Sequence, residues 1–248
     1  MNNAFLALLV FFIAALYSSA GFGGASGYLT AMSFFNIPPN VTSSTALVLN
    51  IVVSIISFTN YTRAGHLRLH LLVPFLITSV PAAFIGGYIE ISEQAYTSLL
   101  YIVLMYLAVR MILPPVLAET GNWSARKLSL WAALVSGAVI GLLSGMLGIG
   151  GGIFLSPLII LMQWGDSKQA AASAGGFIAI NSISGLVGRF ANGSFAFGEF
   201  GLSLLVIGLL GALIGSQLGA IKMSGAGVRR TLGTILLIAV AAYWIKFL

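Results

Sequence analysis

Apolar blocks separated by short polar interruptions run the length of the chain. The blocks lie near 4–20, 26–37, 42–60, 70–89, 95–113, 128–147, 153–164, 170–190, 200–220 and 230–247. Within each block the apolar residues are continuous, without the apolar/polar alternation of a membrane barrel strand. Backbone in lipid must satisfy its own hydrogen bonds, so continuous blocks predict spanning helices. The expected fold class is an all-α polytopic membrane protein. Two blocks, 26–37 and 153–164, fall short of the roughly 20 residues a crossing takes. Each adjoins a glycine cluster, Gly21 to Gly27 in one case and Gly148 to Gly152 in the other. Glycine in a helix costs about 1 kcal/mol against alanine. Each cluster therefore predicts a broken or re-entrant helix pair.

The pattern repeats. Gly151 and Gly152 lie 128 positions after Gly23 and Gly24, and the same offset relates Thr45-Ala46 to Ser173-Ala174. It also relates Ser54 to Ser182, Gly65 to Gly193 and Gly87 to Gly215. The longest polar interruption, 114–127, divides the chain near its middle. The expected organisation is two membrane repeats, 1–120 and 121–248, each with one glycine-rich helix pair and three spanning helices.

Charge placement orients the repeats. Arg63, Arg68, His66 and His70 mark the 61–70 loop as cytoplasmic, as Arg110, Arg126 and Lys127 mark the central loop and Lys222, Arg229 and Arg230 the 221–229 loop. Glu90 and Glu93 leave their loop outside. Two spans, 170–190 and 200–220, separate two inside loops, so the unit 128–164 makes no net crossing, as a hairpin does. The 191–199 loop is then outside while its counterpart 61–70 is inside. The two repeats are expected to have inverted topology.

Composition agrees with a membrane setting: 59% of residues are apolar and 6% charged, too few for a hydrated surface. The net charge of +6 is spread over loops, without a basic patch alternating with aromatics, so nucleic acid is not an expected partner. The chain has no cysteine, which removes disulfides and thiolate metal sites. No metal and no cofactor are expected. The stretch Ala4–Ala20 lacks a preceding Lys or Arg and reads as part of the first helix, not as a cleaved signal.

Several motifs carry chemistry. Glycine-rich turns present successive N–H groups as an anion nest, and a helix starting there adds a positive dipole end. Gly23, Gly24, Ala25 and Ser26 in the first cluster, and Gly150, Gly151 and Gly152 in the second, are candidate anion-binding positions. Close helix packing is the plainer explanation. Asn50, Ser54 and Ser57 share one helical face, and Asn181, Ser182 and Ser184 lie on the counterpart helix. They are candidates for oxyanion contact or for interhelical bonding. Arg189 ends an apolar span far from any acid; it is a candidate anion contact or a snorkelling anchor. The five acids, Glu90, Glu93, Glu119, Asp166 and Glu199, all map to loops or span ends. Asp166 reads as a helix cap. Gly211, Gly215 and Gly219 form a packing face, within the fold or toward a second copy in a possible homodimer.

The doubled glycine clusters, with Pro157 after the second, resemble the sulfite exporter TauE/SafE family of anion permeases. So do the order Thr45-Ala46, Asn50, Gly65 and its copy Ser173-Ala174, Asn181, Gly193. Phe22 departs from the pattern, standing where the second half has Gly150. The resemblance implies a permease or exporter of sulfite, thiosulfate or organosulfonates such as sulfoacetate, in a bacterial inner membrane. Alternating access is the expected mechanism, with an anion channel or a structural membrane subunit as alternatives. An intramembrane serine protease is disfavoured. Ser144 lacks the flanking glycines of a nucleophile elbow, and both histidines sit in one polar loop. The chain is not expected to be an enzyme.

Overall fold

The computed structural model describes residues 3–35, 37–89, 126–198 and 200–224, with isolated positions between 92 and 102 and between 226 and 234. The expected spans 95–113 and 230–247, and most of the 114–127 boundary, lie outside these stretches. Every regular element among the described residues is helical. In chain order they are α1 (Asn3–Ser19), α2 (Ala25–Phe34), α3 (Pro39–Arg63) and α4 (Val73–Tyr88). Then come α5 (Leu130–Leu147), α6 (Gly152–Leu161), α7 (Ser167–Ala191) and α8 (Gly201–Gln217). A π-helical turn, Leu218–Lys222, extends α8. Four of these stretches are long and apolar enough to cross a bilayer: α3, α5, α7, and α8 with its extension. The protein is a polytopic helical membrane protein.

Local signals set the helix ends. Asp166 starts α7 as a capping box: its carboxylate accepts from the Lys168 and Gln169 N–H groups, and the Gln169 side chain returns to the Asp166 N–H. α3 and α7 are each 25 residues long. Both end the same way. His66 N–H reaches back to Tyr61 O and Ser194 N–H to Arg189 O, over Gly65 and Gly193 at φ 80° and 74°. Only glycine adopts that left-handed turn without strain.

α3 and α7 pack against each other at the centre of the bundle. They run antiparallel. Beyond the end of α3, His66 Nε2 donates to Ala220 O, and at the start of α7 Lys168 Nζ donates to the same oxygen. At the other end, Ala196 N–H reaches Ser44 Oγ near the start of α3. α4 packs on α5 and α7, while α8 packs on α1 and α3. Small residues bring these backbones close. Gly137, Gly141 and Gly145 of α5 lie against the carbonyls of Phe75, Ser79 and Ala83 on α4. Gly211, Gly215 and Gly219 lie in the same way against Phe11, Ala15 and Ser19 on α1. That glycine face is therefore used inside the subunit, and a second copy would have to use another one. The α5–α6 pair returns to the level it leaves, since Arg126 N–H donates to Gln163 O at 2.8 Å. Trp131 is exposed at the start of α5, as an interfacial anchor is, whereas Trp164 is buried against Phe75.

Candidate functional site

Two short helices start deep inside the bundle, and the glycine breaks from which they start meet at one side chain. α2 begins at Ala25 and α6 at Gly152, each within its glycine cluster. Asn50 lies midway along α3 and is fully buried. Its Oδ1 accepts from the Ala25 N–H at 3.0 Å, and its Nδ2 donates to Ile149 O at 2.9 Å. One amide thus ties the first break to the second across 99 residues of chain.

The glycines are needed here for space and for conformation. A first side-chain carbon on Gly150 would sit 2.7 Å from Ser182 Oγ and 2.8 Å from Asn50 Nδ2. On Gly23 it would run into the Asn50 amide. On Gly152 it would run into Ile178, and on Gly24 it would sit 2.8 Å from Tyr28 Oη. Gly151 caps α6 at φ 79°, with no side chain closing the helix start. The first N–H groups of a helix have no intrahelical acceptor, so this start keeps donors available beside a positive dipole end.

The polar side chains divide into occupied and unoccupied sets. Ser26 and Tyr17 share a hydrogen bond of 2.9 Å. Ser54 makes a long bond to Ile51 O on its own helix, and Ser57 donates to Ser18 O. Ser184 donates to Val80 O and so serves packing with α4. Asn181 donates to Phe177 O one turn back, which leaves its Oδ1 as a buried acceptor without a partner. Ser182 Oγ, Ser144 Oγ, Ser156 Oγ and Tyr28 Oη are also buried without a partner. Such groups are uncommon in folded proteins and mark places where something else can bind.

Gly23, Ala25, Asn50, Gly150 and Ser182 are therefore brought together, with Gly24, Gly151 and Gly152 lining the same breaks. Ser26 and Ser54 turn to protein partners. Arg189 stands two helical turns from Ser182, roughly 10 Å along α7. Its Nη2 donates to the Met146 and Gly145 carbonyls at 3.1 and 3.4 Å, at the negative end of α5. Sequence reasoning missed the Ile149 carbonyl, Tyr28 and the Ser144 hydroxyl. Tyr28 left one trace: it follows Gly24 by one helical turn.

The family model for "Sulfite exporter TauE/SafE" matches residues 6–243. The chain belongs to the TauE/SafE family. A TauE/SafE assignment also fits its relatives. A "Probable membrane transporter protein" of Sinorhizobium fredii is 33% identical over 235 residues, covering 94% of this chain and 95% of the relative. Another protein of the same description, from Methanocaldococcus jannaschii, is 26% identical over 190 residues, covering 73% of this chain and 70% of the relative. No solved structure matches the chain at a significant level. As a TauE/SafE protein the chain is a membrane transporter and not an enzyme.

Proposed function

We propose that the chain moves small anions by alternating access, binding them where the starts of α2 and α6 meet. Sulfite, thiosulfate and organosulfonates such as sulfoacetate are the intended class. The observation that carries this reading is the meeting of the two glycine breaks at Asn50, with the α6 start left uncapped at Gly151. Two positive dipole ends and neutral hydroxyl donors can hold an oxyanion without a charged side chain. Among the described residues no carboxylate is buried near the breaks to oppose it.

Alternating access draws on the two-fold pattern. α3 and α7 have equal length, start 128 positions apart and run antiparallel, as corresponding helices of two inverted repeats would. Units 1–120 and 121–248 would then rock against each other about the site. Asn50, Asn181 and Ser182 are fully buried, which favours a carrier that occludes its substrate over an open channel. The bacterial inner membrane is the proposed location.

Thermal unfolding of the purified chain with sulfite, thiosulfate, sulfoacetate and small carboxylates, against chloride, tests the substrate class. A ligand at 100 times its Kd stabilises by about 2.7 kcal/mol. A selective shift with a sulfur oxyanion or sulfonate is expected; equal behaviour of all the anions would sink the reading. The inversion has its own test, clean because the chain contains no cysteine. Cysteines placed at Arg68 and Phe200 are expected to react with an impermeant thiol reagent from opposite sides of the membrane. Reaction from one side by both would rule the inversion out.

A further inference from the structure

A basic cavity lies away from the glycine breaks, where α4 and α5 begin. It is an open recess of about 460 Å³, lined by His70, Arg126, Lys127, Pro74, Leu130 and Trp164, among others. Among the described residues, every ionisable side chain in its wall is basic. α4 opens onto it without a side-chain cap, adding the positive end of a helix. The acid nearest in sequence is Asp166, and its carboxylate is held by the Lys168 and Gln169 N–H groups at the start of its own helix.

The rest of the wall, Pro74, Leu128, Leu130 and Trp164, is apolar. Leu130 is 59% exposed, and it leads onto Trp131 and Val135, which are exposed on the same stretch of α5. Val73 and Ile77 are exposed on the adjoining first turns of α4. A basic recess that opens onto apolar, lipid-facing helix surface suits an amphiphile, whereas a free phosphate would use only the basic end.

We infer that this cavity holds the phosphate headgroup of an anionic phospholipid, with an acyl chain lying along Leu130, Trp131 and Val135. The site needs the chain to sit in a bilayer and does not depend on which anion is transported. Its walls come from three segments: the start of α4, the lead into α5, and the turn after α6 at Trp164. The last two are already strapped by the Arg126 N–H to Gln163 O bond. A headgroup bound there braces the base of the α5–α6 hairpin, whose far end carries Gly150 to Gly152.

The test is thermal unfolding of the detergent-purified full chain with phosphatidylglycerol, phosphatidylcholine, glycerol 3-phosphate or inorganic phosphate added. Phosphatidylglycerol is expected to raise the midpoint by several degrees, and the other three are not. In the R126Q/K127Q variant the phosphatidylglycerol shift should fall by at least half, while the midpoint in phosphatidylcholine stays within a degree or so of the parent. Retention of a phosphatidylglycerol adduct in native mass spectrometry should fall in parallel. Equal stabilisation by glycerol 3-phosphate would assign the cavity to a soluble phosphate and overturn the lipid. An undiminished shift in the variant would place lipid binding elsewhere and overturn the site. If the double variant does not purify, K127Q and H70Q are measured singly, and both must show a reduced shift for the proposal to stand.

Discussion

The two glycine breaks hold corresponding places in the chain but are finished differently. At the first, Asn50 Oδ1 caps the Ala25 N–H and Ser26 shares a hydrogen bond with Tyr17, while Tyr28 Oη beside Gly24 is buried without a partner. At the second, Gly151 starts α6 uncapped, and Ser144 beside Gly151 and Ser182 beside Gly150 lie buried without partners. The residue 128 positions after Asn50 is Ile178, so the amide that seals the first break has an apolar counterpart at the second. The difference is one of degree: the second break has more buried polar groups without a protein partner than the first. We propose that the anion is held mainly by the second break, with Asn50 as the strut that positions it.

The largest effect should come from closing the second break. Gly151→Val puts a branched side chain on a left-handed residue, beside the Phe177 ring and Ile140. Transport in proteoliposomes is expected to fall to background, while the amount of protein in the membrane fraction stays near normal. Normal flux would remove the second break from the mechanism.

Next comes the strut. Asn50→Leu leaves the Ala25 N–H and the Ile149 carbonyl buried and unmet, which should cost about 2–4 kcal/mol. Asn181→Leu removes only a bond to its own helix and an acceptor that had no partner, and should cost under about 1 kcal/mol. Chemical denaturation of both variants checks this; equal losses would erase the distinction between the two asparagines.

Ser182 and Ser57 sharpen the same contrast. Ser182→Ala removes an unpartnered hydroxyl beside Gly150, so stability should hold, while KM for the anion rises about tenfold, the equivalent of roughly 1.4 kcal/mol. Ser57→Ala breaks a bond to Ser18 O and should lower stability by about 1 kcal/mol without moving KM. A KM change in Ser57→Ala and none in Ser182→Ala would reverse the assignment. A comparable effect, on stability alone, belongs to Arg189. Arg189→Gln weakens the bonds to Gly145 and Met146 and should reduce stability by about 1 kcal/mol, read as a slightly lower melting temperature.

Much of the fold could be read from the sequence because membrane helices obey blunt rules. Block length and continuity located the helices, and the short blocks 26–37 and 153–164 are realised as the ten-residue helices α2 and α6. Glycine clusters located the breaks, since no other residue relaxes the backbone so fully. Asp166 declared its cap by residue type and position. What the sequence left open is rotation about each helix axis. A helix that is apolar all round offers no polar face to orient it, so periodicity cannot say which neighbour a residue meets. Tertiary packing alone decided that Asn50 reaches both breaks while Asn181 turns back to its own helix. It decided that the Gly211 face is filled by α1, and that His70, Arg126 and Lys127 share one cavity. Length and composition follow from the solvent a segment must live in; partners follow from how closely two backbones can approach, and that exists only once the helices are packed.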